Sequence, residues 1–119
     1  RGDYSLAVAA TTLTASDSGK TFIWNHATAF LFTLPAVQKS QKGIFYNFII
    51  NTAATSGTGH GIDPASADQI IAPGITAADA KYIVFLTGSD AVGNGFRLVS
   101  DGTDGWFVTA LTGTVNRES

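Results

Sequence analysis

Apolar residues in this chain arrive in short runs rich in aromatic and β-branched side chains, each closed by turn residues. That pattern restricts the fold more than any other feature, because it offers many strands and no helical stripe. In residues 20–25, Phe22 and Trp24 share a face, and in residues 29–34, Phe30, Phe32 and Leu34 do. Residues 25–28 between them read as a hairpin turn, and Pro35 ends the second strand. Residues 95–100 and 105–112 flank a connection that carries Asp-Gly twice, the composition of a second hairpin. Residues 69–71 read as a short strand, and residues 75–80 as another or as a helical turn.

Two runs are apolar on both faces. Residues 44–50 set Ile44, Tyr46, Phe48 and Ile50 against Phe45, Asn47 and Ile49. Residues 81–87 set Tyr82, Val84 and Leu86 against Ile83 and Phe85. A strand apolar on both faces is covered twice, and in a chain of 119 residues the expected second cover is another subunit. The turn spacing predicts an all-β fold, an antiparallel β-sandwich or small barrel of seven or eight short strands with little or no helix. The expected organisation is an N-terminal arm or edge strand over residues 1–13, a single β domain over 14–112 and a loose tail over 113–119. Residues 38–43 read as a solvated loop. Residues 51–68 hold no clear periodic element, and a loop that long is usually functional or mobile.

Composition narrows the function. Charged residues make up 13% of the chain, against about a quarter in an ordinary soluble protein. With 45% apolar residues, that leaves a neutral surface or one hidden against other protein. Seven basic residues against nine acidic ones, scattered along the chain, argue against nucleic acid as a partner. No apolar run approaches the roughly 18 residues of a membrane helix. Without cysteine, disulfides and thiolate chemistry are excluded. The first residue, Arg1, points to a processed or trimmed product of a longer gene product.

Motifs for chemistry are weak. Gly19-Lys20-Thr21 ends like a phosphate loop, but Thr14 stands where the first glycine belongs and a strand follows instead of a helix. His60 sits in a glycine-rich stretch and reads as an exposed loop histidine, as does His26 at its turn. Asp101 and Asp104 are explained by turn chemistry better than by a cation. Trp24, Trp106, Tyr46 and Tyr82 could build a sugar platform, but strand aromatics more often serve core or interface. The tripeptide Arg1-Gly2-Asp3 is near chance. No catalytic residue, cofactor site or metal site is expected.

The order of several segments resembles a group of small bacteriophage virion proteins, the capsid decoration (cement) proteins and related domains of head or tail fibres. The residues that carry it are T-x-x-D-x-G-K-T-F from Thr14 to Phe22, T-L-P at Thr33, Leu34 and Pro35, and L-V-S-D-G-T-x-G-W from Leu98 to Trp106. The resemblance implies a non-enzymatic β-rich protein on the capsid exterior. Such a protein would trimerise at three-fold positions and brace the major capsid protein. It offers no catalytic residue. The alternatives are a domain of a tail fibre or receptor-binding spike, and a carbohydrate-binding module. Expected contact residues are Tyr4, Leu6 and Val8 in the arm, which could add a strand to a neighbouring sheet, and Phe45 and Phe85 in the two doubly apolar strands.

Overall fold

A computed structural model describes residues 4–37, 43–65, 67–103 and 105–118. These residues form eleven strands. In chain order they are β1 (Tyr4–Ala7), β2 (Thr11–Thr12), β3 (Thr21–Asn25), β4 (Leu31–Thr33), β5 (Phe45–Thr52), β6 (Gly59–Asp63), β7 (Gln69–Ile71), β8 (Ile83–Leu86), β9 (Gly95–Ser100), β10 (Gly105–Thr112) and β11 (Asn116–Arg117). One 3-10 turn, Ala15–Asp17, is the sole helical element among the described residues. Thr14 and Asp17 close it with a capping box, in which the Thr14 N–H donates to the Asp17 carboxylate at 2.9 Å.

The strands make two sheets, ordered β1-β3-β5-β9-β10-β7 and β11-β8-β6-β4-β2. From β1 to β9 the chain lays consecutive strands alternately into one sheet and the other. This winding makes β1, β3 and β5 parallel in the first sheet, and β2, β4 and β6 parallel in the second. A parallel neighbour needs a crossover connection, and here each crossover is a strand of the facing sheet. The corners of successive coils stack on one another. The Thr55 N–H donates to the Ala27 carbonyl at 2.7 Å and the Ala29 N–H to the Ser56 carbonyl at 3.0 Å. The later strands β8, β9 and β10 pair antiparallel with their neighbours β6, β5 and β9.

The all-β sandwich expected from the sequence is therefore the architecture observed, with two corrections. The sheets are mixed, and the described residues hold eleven strands because several are only two to four residues long. The expected hairpin at residues 25–28 is instead a corner that carries the chain from β3 to β4 in the opposite sheet. Alternation identifies the apolar face of each strand, but two strands facing each other across a core show the same alternation as two strands side by side. The hairpin between β9 and β10 does form. Its turn is held by Asp101, whose carboxylate accepts from the backbone N–H groups of Thr103 and Gly105 at 2.7 and 3.1 Å.

One aromatic core fills the space between the sheets. Trp24, Phe32, Tyr46, Phe48, Phe85 and Phe96 are all buried in it. Ring centroids lie 5.4 Å apart for Trp24 and Phe32, and 5.4 Å for Phe48 and Phe96, the spacing of favourable aromatic pairs. Of residues 113–119, expected as a loose tail, Val115 instead enters this core and Asn116–Arg117, as β11, pair with β8. Residues 51–68, expected as loop, contain β6, a strand inside the second sheet. Residues 75–80 form no strand or helix.

Candidate functional site

The pairing registers fix which side chains point away from the core. Phe22, Trp24, Phe48 and Ile50 are buried between the sheets, so their strand neighbours face outward. On the six-stranded sheet the outward rows run Tyr4, Thr21, Asn47, Arg97, Thr109, then Leu6, Ile23, Ile49, Gly95 on one side. On the other side they run Phe45, Val99, Phe107, Ile71. This face therefore carries two apolar stripes with a polar row between them. Tyr4 is 70% exposed, Leu6 54% and Phe107 43%, and Ile49 and Ile71 are exposed as well. Val92 borders the face and forms a recess with Leu6, Ile23 and Ile49. Exposed apolar groups are ordinary singly, but contiguous ones mark contact surfaces.

A second recess of about 380 Å³ opens in the middle of this face, lined by Thr21, Asn47, Ile49, Arg97 and Thr109 among others. Gly95 and a bulge in β10 border it. Gly95 leaves no side chain where its Cβ would stand 2.1 Å from the Phe48 carbonyl oxygen. A bulge in β10 puts one extra residue between Thr109 and Thr112 and holds Ala110 at φ 51°.

Arg97 stands at the centre of the polar row. Its Nε donates to the Asn47 Oδ1 at 3.0 Å, and its guanidinium carbon lies 4.9 Å from the centroid of the Phe45 ring. Arg97 itself is exposed. Among the described residues of its rows it is the only cation.

The expected contact residues separate on this map. Tyr4 and Leu6 lie on the face, at its edge strand. Val8, just beyond β1, is 59% exposed. Phe45 is half-buried beneath Arg97. Phe85 is a correction: it is 1% exposed and packs on Trp24 and Phe96 in the core. In β8 the inward pair is Ile83 and Phe85, with Val84 and Leu86 outward. A strand apolar on both sides carries no sign of which side is which.

The other candidates also resolve. His60 is a second correction, being fully buried. Its Nδ1 accepts from the Phe30 N–H at 3.4 Å, and its Nε2 lies 2.9 and 3.1 Å from the carbonyls of His26 and Thr52. Its ring stacks on Trp24 at 5.8 Å. It ties two stacked corners to the core, and the hydrogen-bond partners of its ring among the described residues are all backbone groups. Lys20 forms an ion pair with Asp17 at 3.0 Å, which with backbone and side-chain bonds from Thr14 holds the Asp17 carboxyl below its usual range against partial burial. Trp24, Trp106 and Tyr46 are core residues. No group of three or more acidic or histidine side chains converges among the described residues. Arg1, Gly2, Asp3 and Asp104 lie outside the described residues.

Arg97 was not among the residues expected to act. The signal for it was available, as a lone charge at an outward position of a strand otherwise rich in apolar residues. No family model matches the chain, and no curated protein matches it.

Proposed function

We propose that this chain is a non-enzymatic structural protein of a bacteriophage virion. It binds the outer surface of the capsid as a decoration protein, acts as a homotrimer and braces neighbouring coat subunits. The observation that carries the reading is the outward face of the six-stranded sheet. A domain with a complete core of its own still leaves two apolar stripes in water, and protein contact is what such stripes serve. The segment resemblance supplies the setting and the number three. A brace acts through broad, well-matched contact, and three copies acting together add avidity.

The test mixes purified protein with undecorated expanded heads of the phage that encodes it, then measures co-sedimentation and the melting temperature of the heads. The expected result is saturable binding and a higher melting temperature. Absence of both overturns the reading. Sedimentation of the free protein and of the decorated particle at micromolar concentration tests the trimer, and a monomer in both settings removes it.

A further inference from the structure

We infer that Arg97 is the anchor of the docking face, and that its partner is a carboxylate side chain set in an apolar segment of the coat protein. The inference rests on the reading above and adds the chemistry of the contact. A free arginine samples many rotamers and loses that freedom on binding. Here the side chain is already held, by the Phe45 ring beneath it and by Asn47 at Nε. Of its five N–H donors, the one on Nε is used. No described residue accepts from the four on Nη1 and Nη2.

Those four donors form the fork that matches a carboxylate in two parallel bonds. Among the described residues no carboxylate pairs with Arg97. Asp17 is engaged by Lys20, and the Asp90 carboxylate accepts from the Ala54 N–H. The surroundings decide the class of partner. Nucleic acid or another polyanion needs several cations along its track, and the described residues of this face offer one. Flanking stripes led by Ile49 and Phe107 would instead exclude water around one charged pair, which is how an arginine becomes a binding hot spot.

The experiment repeats the head-binding assay with three variants. Arg97→Gln removes the charge and Arg97→Lys keeps it without the fork. Asn47→Asp keeps Arg97 but places a carboxylate of the same chain against it. All three changes are at the surface, and unchanged thermal melting confirms that the fold persists. The expected result is a loss of affinity of about tenfold or more for Arg97→Gln and Asn47→Asp, with Arg97→Lys in between. Wild-type affinity for both Arg97→Gln and Asn47→Asp overturns the inference while the decoration reading stands. A change of oligomeric state in Arg97→Gln would put a second copy on this face, and overturns it too.

If the wild-type protein fails to bind heads, the decoration reading fails, and a second arm decides the inference. The peptide acetyl-Val-Glu-Val-amide and its Gln counterpart are titrated while the Arg97 Nε–H signal is followed by NMR. A saturable shift with the Glu peptide alone supports a carboxylate site. No shift with either peptide, or equal shifts with both, overturns it.

Discussion

Two buried polar side chains show how single residues hold this fold. Burial pushes the Tyr46 hydroxyl from 10.0 up to about 12, with a further push from the Asp17 carboxylate. The folded state thus keeps that proton more tightly than the unfolded chain does. Its contribution to stability is complete below pH 10 and is lost as the pH rises toward 12. Tyr46→Phe is expected to abolish this alkaline step. At neutral pH it should cost about 1 kcal/mol, because the Thr14 carbonyl loses its donor. Urea midpoints of both proteins from pH 8 to 12 would check this. His60→Leu keeps the volume but strips the partner from the Phe30 N–H and from the carbonyls of His26 and Thr52. We expect a loss of about 2–4 kcal/mol by chemical denaturation. Neither role was legible in the sequence. Tyr46 read as a strand aromatic or a sugar-platform candidate, with no sign of its bond to Thr14. His60 read as a loop residue because its neighbours are glycines, and the reason for those glycines lies in another strand.

That reason belongs to the scale of elements. A Cβ on Gly61 would stand 2.0 Å from the Ile83 carbonyl oxygen, and one on Gly59 2.1 Å from that of Phe85. At φ +154°, Gly59 also adopts a backbone that other residues avoid. The glycines let β6 close on β8, and they also erase the alternation by which a strand is recognised. Gly61→Ala is therefore expected to destabilise by about 3 kcal/mol, read as a drop in the denaturation midpoint. In β10 the opposite change should help. Ala110 sits at φ 51° in the bulge, so Ala110→Gly is expected to gain about 1 kcal/mol in the same assay. The strands visible in advance were β3, β4, β5, β7, β8, β9 and β10, where apolar runs are closed by turn residues. The outward face of the six-stranded sheet was half visible: Phe45, Tyr4 and Leu6 were read as outward, while the polar row between the stripes emerged only from the registers.

For the molecule as a whole, closure depends on its last residues. Val115 is buried in the core, β11 pairs with β8, and Tyr82 and Glu118 exchange two hydrogen bonds of 3.0 Å. Ending the chain after Thr114 is expected to cost about 3 kcal/mol, measured by thermal melting, from one buried valine and several ladder bonds. The weak alternation of these residues gave no sign of this, because two-residue strands carry almost no pattern.

The winding has a mechanical consequence. Strands placed alternately in two layers sew those layers together, as thread does two plies of cloth. Neither ply can lift away while the other keeps its order. A load that draws on β1 must shear its parallel seam with β3 before the next stitch, β2, is tugged from β4. A domain wound this way gives up its seams in chain order when it is drawn out from β1.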